Sequence, residues 1–314
     1  FHMMNEARIG VGLGASMLGY AGYLFSLEYA KERPQGRPVT NKDPSADPVS
    51  IIEHADVRRM LLAQKAYVEG GLALGLYCAR LVDDASVARA EGDEQGAERA
   101  HVLLELLTPI AKAWPSEYCL EANKLAIQVL GGYGYSREYP VERFYRDNRL
   151  NAIHEGTNGI QALDLLGRKV TMKSGEGLRL LMGEVHKALA KGRGHERLAS
   201  DVAALESAVE RAGATTTALG AVALGGDIEG YLANASLYLE VLGHVVVGWL
   251  WLEQGIVAAR ALSGALSERD EHFYRGKLSA CRYFMNYELP RVHWKGELLA
   301  RVDRTTLEMD ARWF

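Results

Sequence analysis

The sequence predicts an all-α fold built as two stacked helical units. Three observations carry that expectation. Apolar residues recur on a helical period through most of the 314 residues. No run of alternating apolar and polar residues suggests a sheet, and neither sustained heptads nor an internal repeat is visible. The punctuation between periodic stretches consists of Gly pairs and proline clusters, which end helices.

The first helix is expected over about 6–32, where frequent Gly and Ala suit close packing. "ERPQGRPVTNKDPSADP", with Pro34, Pro38, Pro44 and Pro48, stops it in a long ordered loop. A second helix runs over about 51–83. The charged, Ala- and Gly-rich "DDASVARAEGDEQGAERA" reads as a solvated connection to a third helix at about 99–113. A fourth, "PSEYCLEANKLAIQVLGG", puts Leu125, Ala126, Val129 and Leu130 on one face and ends at a Gly pair. A loop follows, then "IHEGTNGIQ", then "IQALDLLGRKV", which Thr157 or Asn158 is placed to cap. From about 175 the texture changes to two or three amphipathic helices, a long apolar helix at 227–263 and another at 268–288 stopped by Pro290. The tail has no strong pattern. A boundary near 172–178 divides the chain into units 1–174 and 175–314.

Composition excludes some functions. With 48% hydrophobic and 24% charged residues and a net charge of -4, the chain is an ordinary globular one, with no basic surplus to favour nucleic acid. Cys78, Cys119 and Cys281 lack metal-type spacing and read as core residues in a reducing, cytoplasmic compartment. No HExxH or paired Cys/His spacing suggests a metal site. The most apolar run, "VLGHVVVGWLWL", falls short of the ~20 residues of a membrane span, so a buried helix with His244 as a core histidine is expected. The start shows no basic leader. Because it opens at Phe1 inside a helical pattern, an upstream portion is expected to be missing.

Several residues could carry chemistry. Gly131, Gly132 and Gly134, after Gln128, are more than a helix cap requires and would let backbone amides approach phosphate oxygens. Arg33 and Arg37 flank a proline and a glycine. They are either solvated or held for a phosphate. Arg8, on a strongly apolar helix, needs an acid or a ligand phosphate as partner. Glu155 stands alone between His154 and the "GTNG" turn. Position alone would make it a helix-dipole carboxylate.

In order and spacing, "NEARIGVGLGA", "YAKERPQGR", "AIQVLGGYGYSREYPVERFYRD" and "IHEGTNGIQ" resemble the C-terminal half of the acyl-CoA dehydrogenase family over about residues 3–172. The remainder, including "YLEVLGHVVVGWLWLEQ", is similar to the longer members, among them the 3-methylmercaptopropionyl-CoA dehydrogenases. The resemblance implies a C-terminal four-helix bundle followed by an additional helical domain, with the N-terminal helical and middle β-domains absent from this chain. It implies FAD as cofactor, an acyl-CoA substrate converted to a trans-2-enoyl-CoA, electron-transfer flavoprotein as partner, and a homo-oligomer, dimer or tetramer. Glu155 falls on the family's base. Thr157, Arg33, Gln128, Gly131 and Gly132 fall on FAD contacts, and Arg8 and Gly156 on the substrate side. "RPQGR" lacks the aromatic the family carries there, and Gly159 replaces a Gln. An acyl-CoA oxidase using O2 and a non-catalytic helical scaffold are the alternatives.

Overall fold

The structure, a computed structural model, describes residues 2–40 and 43–314; Phe1, Asn41 and Lys42 lie outside the described residues. Three long helices, α1 (His2–Glu32), α2 (Ala55–Ala90) and α3 (Glu94–Leu130), form the first body. The short α4 (Gly132–Tyr135), α5 (Val141–Arg149) and α6 (Asn158–Asp164) complete it. After a π-turn at Leu165–Lys169 come α7 (Met172–Gly192), α8 (Ala199–Leu224), α9 (Ile228–Leu232) and α10 (Ala235–Ala261). Then follow α11 (Glu268–Tyr283), a second π-turn at Phe284–Glu288, α12 (Arg291–Ala300) and α13 (Thr305–Glu308). Among the described residues there is no β-strand, only an isolated antiparallel bridge between Pro34 and Ser50.

Three expectations are corrected. The solvated connection shrinks to 91–93, because the Ala-rich run continues α2 to Ala90. Gly92, at φ +80°, turns the chain, and the Asp93 side chain caps α3 by accepting from Gly96 N at 2.8 Å. The expected third and fourth helices are one helix, α3, with Pro109 and Pro115 inside it. The expected helix at 227–263 is broken at 233–234, where Asn234 Nδ2 donates to Asp303 O at 2.9 Å.

Proline 115 has a structural consequence. It lacks the N–H that would bond the Ala111 carbonyl in a regular helix. That carbonyl oxygen faces Gly12 of α1, where an added Cβ would lie only 1.9 Å away. Two more glycines on the same face allow the same approach: Gly19 against Cys119 and Gly22 against Asn123. The pairings 12 with 111, 19 with 119 and 22 with 123 show that α1 and α3 run parallel. Helix α2 packs against both and runs antiparallel to them, with Gly71 against Ser16 and Gly75 against Leu13.

The later helices share a core with the first body. Trp251 of α10 donates to Ala66 O of α2 at 3.0 Å, and Gly70 leaves room for Val247 and Trp251. Trp114 stacks on Tyr118 (4.7 Å between centroids), Tyr118 meets the edge of His244 (4.8 Å), and His244 stacks on Phe284. Both Trp114 and Trp251 are essentially fully buried. Two helices, Asn5–Glu32 and Ala235–Ala261, are long and apolar enough to cross a membrane by length and composition. Of the most apolar window in the second, 83% is buried inside the protein, as in a core helix, against 44% in the first.

His244 Nδ1 donates to the Glu240 carbonyl at 2.7 Å, while Nε2 is buried without a partner. Burial pushes its pKa from 6.5 down to about 3, opposed by that hydrogen bond and aided by the Lys295 and Arg291 cations.

Two tests follow from this packing. Gly12→Ala should destabilise the fold by about 1–3 kcal/mol or more, since backbone must move. Gly14→Ala, with nothing within 4 Å of the added Cβ, should be neutral or stabilising. Urea unfolding of both variants distinguishes the outcomes. For His244, the unfolded chain takes up a proton below about 6.5 that the folded chain refuses until about 3. Its contribution is therefore present above the higher value and is lost as pH falls, at up to ~1.4 kcal/mol per pH unit. His244→Phe should remove that part of the acid slope, read as the difference between parent and variant unfolding curves.

Candidate functional site

The turn carrying Glu155 lies between the 3-10 turn Leu150–Ala152 and α6. Glu155 has φ +53° and Gly156 φ +85°, two consecutive left-handed residues. Glycine adopts that conformation freely, but glutamate is strained there, at a cost on the order of 1–3 kcal/mol. The turn is clamped from below: buried Gln161 donates from Nε2 to the Glu155 carbonyl at 3.0 Å, and reaches that of Gly156 at 3.5 Å. A Cβ on Gly156 would come within 2.8 Å of that same nitrogen. Thr157 caps α6 by accepting from Ile160 N at 3.3 Å. The Glu155 side chain is exposed, and the segments on either side of the turn carry exposed apolar residues: Leu150, Ile153, Ile160 and Leu163.

Behind the turn runs a polar relay that sequence reasoning missed. His154 Nε2 lies 3.1 Å from Asn151 Oδ1, and Asn151 donates to Asn148 Oδ1 at 2.9 Å. Asn148 in turn donates to Asn123 Oδ1 at 2.7 Å and to Ala15 O at 3.1 Å, and Asn123 donates to Leu18 O at 2.9 Å. The three asparagines are buried and fasten the turn to α3 and α1. The three-residue spacing Asn148, Asn151, His154 is the signal that could have found it.

Arg8 finds the acid it needs. Its Nη1 donates to Asp164 Oδ2 at 2.8 Å, both side chains being 11% exposed, and Nε is buried without a partner. Arg168 holds the other Asp164 oxygen at 2.7 Å. Two buried lysines, also missed, share this end of the bundle. Lys169 is ion-paired with Glu105, which also accepts from Asn5. Lys112 Nζ donates to Asn158 Oδ1 at 3.3 Å. Burial, with the Arg8 cation as second cause, pushes each lysine down to about 8; the Glu155 charge partly opposes this at Lys112.

The remaining sequence-predicted residues assemble elsewhere. Arg33, Gln128 and Gly131 line one cleft of about 380 Å³ together with Gly36 and His54. Arg33 Nε is buried without a partner, and its guanidinium lies 5.5 Å from the Tyr133 ring centroid. Gly131 has φ +60° and ψ -136°, and an added Cβ on Gly131 or Gly132 would meet nothing within 4 Å. A larger cleft of about 820 Å³, lined by Leu24, Phe25, Tyr139 and Phe144 among others, opens on the other side of Arg33. Arg37 instead bonds the Ala46 and Pro44 carbonyls of its own loop. Arg8 and Arg33 mark opposite ends of α1, about 37 Å apart at 1.5 Å per residue. The turn group and the Arg33 group are thus separate surfaces. Among the described residues, no group of three or more His, Cys, Asp or Glu could hold a metal ion.

Residues 2–170 match the family model "Acyl-CoA dehydrogenase, C-terminal domain", and residues 181–310 match "Acetyl-CoA dehydrogenase C-terminal like". The chain is 33% identical to the broad-specificity linear acyl-CoA dehydrogenase FadE5 of Mycobacterium tuberculosis, over 100% of this chain and 52% of that protein. It is 34% identical to the 3-methylmercaptopropionyl-CoA dehydrogenase of Ruegeria pomeroyi, over 90% of this chain and 47% of the relative. The chain therefore spans about half the length of the curated relatives it matches. Among solved structures, an acyl-CoA dehydrogenase complexed with FAD from Bacillus anthracis superimposes with a TM-score of 0.71 at 18% identity, over 98% of this chain and 50% of that one. At that identity the likeness shows the fold.

Proposed function

Since the chain belongs to the acyl-CoA dehydrogenase family, we propose that it is the helical C-terminal portion of an FAD-dependent enzyme that oxidises an acyl-CoA thioester to the trans-2-enoyl-CoA. The single observation that carries this reading is Glu155: an exposed carboxylate on a strained, clamped turn whose flanking segments present exposed apolar side chains. Strain held in place by its surroundings is a mark of a functional residue. We read residues 1–174 as the bundle and 175–314 as the extension. The left-handed run Lys173, Ser174 and Gly175, which kinks the start of α7, supports a division there.

In this reading Glu155 takes the proton from the carbon α to the thioester carbonyl. The backbone of the turn stays fixed by Gln161 and the Thr157 cap, so the side chain alone moves. Leu150, Ile153, Ile160 and Leu163 seat the acyl chain and exclude water, which makes the carboxylate a stronger base towards so weak an acid. Gly156 leaves room for the substrate. Arg8, fixed by Asp164, keeps a cation beside the site on the substrate side.

The residues present fit FAD. Arg33 has an unpartnered buried Nε, and the space a side chain would fill at Gly131 and Gly132 is open. Arg33, Gln128, Gly131 and Gly132 would hold its diphosphate and Thr157 its flavin end. Bound FAD would supply a hydride acceptor for the β-hydrogen, with electron-transfer flavoprotein as the proposed onward partner. Because Arg8, on the side of the turn, and Arg33 lie about 37 Å apart along the direction of α1, each cofactor would be completed by a second copy of the chain, as in a homo-oligomer.

Two variants of the full-length protein test the reading. Glu155→Gln should keep the helical spectrum and flavin content but lose turnover by at least about 100-fold, the usual weight of a general base. Turnover like the parent's would refute the assignment. Arg33→Ala should lower FAD retention after dialysis, by about 1.5–3 kcal/mol for a hydrogen bond to a charged group, while flavin-saturated turnover changes little. Equal flavin content in both proteins would return Arg33 to an ordinary loop residue.

A further inference from the structure

Lys112 is a buried charge with no part in the reaction described above. Its side chain is fully buried, one residue beyond the carbonyl that meets Gly12. The other two cations at this end of the bundle have carboxylate partners, Asp164 for Arg8 and Glu105 for Lys169. Among the described residues Lys112 has none within ion-pairing distance, and its one hydrogen bond, to Asn158, is long for a charged donor. A buried ammonium without a counter-charge is costly, so one is expected to reach it. The charged groups acting on Lys112 are Arg8, which repels it, and Glu155, which favours its protonated form. Asn158, the first residue of the helix that the turn feeds, accepts from the ammonium and donates its own Nδ2 to Glu117 Oε2 of α3 at 3.3 Å, so this α3 carboxylate engages the amide and not Lys112.

We propose that Lys112 is a positioning residue for the base: its ammonium is the interior counter-charge that draws the Glu155 side chain inward over the site, with Asn158 aiming it. The proposal rests on Glu155 being the base and names what sets its orientation. The arrangement has a physical logic. The turn's backbone is fixed, so the only freedom left to Glu155 is its side chain, which the exposed position otherwise leaves to solvent. A single interior cation, itself held by a neutral amide rather than a carboxylate, selects the inward rotamers without neutralising the base through a direct pair.

The test uses full-length, flavin-loaded enzyme. In Lys112→Met the acid limb of the kcat/KM pH profile should move up by about one pH unit, the usual reach of a nearby opposite charge. On the plateau above that limb kcat should fall about tenfold, the scale of a misaimed catalytic group, with KM changed less than about twofold and with parent-like flavin content and helical spectrum. A merely structural role would lower flavin content or stability and leave the acid limb in place. The same coupling can be read in reverse without relying on that variant folding. The Lys112 ammonium, followed by NMR, should titrate lower in Glu155→Gln than in the parent, where it lies at about 8. An unmoved acid limb in a folded, flavin-replete Lys112→Met enzyme, or an unchanged Lys112 titration in Glu155→Gln, overturns the proposal. Failure of the base assignment itself shows separately, as retained turnover in Glu155→Gln.

Discussion

The contact on which the rest of the structure depends is the one between Gly12 and the Ala111 carbonyl. Pro115 takes away that carbonyl's helical partner, and a residue with no side chain lets α1 come down onto it. With the contact at that depth and the helices parallel, Asn5 reaches Glu105 and Asn123 reaches the Leu18 carbonyl. Arg8 lies within range of both Lys112 and Lys169. A side chain at position 12 would hold the helices apart and pull this whole polar layer out of register. Packing here decides electrostatics, because charges separated by an extra ångström or two, with water admitted between them, are a different site.

Charge balance at that end of the bundle is deliberate and incomplete. Three interior cations, Arg8, Lys112 and Lys169, are set against Asp164 and Glu105, Asp164 being shared with the more exposed Arg168, and Glu155 stands outside on the turn. Complete pairing would make the layer a structural salt-bridge network and nothing more. The shortage of negative charge leaves the interior attractive to an anion or a polarised oxygen arriving at the turn. Burial of the two lysines sharpens that attraction, since neither is shielded by water.

Much of this could be read before the structure. The helical class, the proline-rich loop, the Thr157 cap and the grouping of Arg33 with Gln128 and Gly131 follow from period, punctuation and family spacing. What could not be read has physical reasons. Pro109 and Pro115 look like helix ends, yet α3 runs through both, because dense packing on three sides outweighs two missing hydrogen bonds. The 84–98 stretch looks like a linker because its residues are polar, but alanine and charged side chains also suit an exposed helix. Lys112 looks like a surface lysine. Only the fold, by wrapping α1 and α6 around that position, shows that it is interior. The left-handed backbone at Glu155 is likewise invisible in sequence, where only Gly156 announces a turn.

Helix α1 also has the proportions of a lever. Its fulcrum is Gly12, about 6 Å from Arg8 and about 31 Å from Arg33 at 1.5 Å per residue. A rigid tilt of about two degrees would therefore shift the Arg8 end by about 0.2 Å and the Arg33 end by about 1 Å. The short arm keeps the Arg8 end insensitive to strain, and the long arm amplifies it. This explains why the far end is lashed down. Ile51 N bonds the Arg33 carbonyl at 2.8 Å, Gln35 N bonds Val49 O at 2.9 Å, and Val49 N bonds Gly36 O at 3.0 Å. Those three rungs act as a guy-rope on the arm where a small rotation has the largest throw.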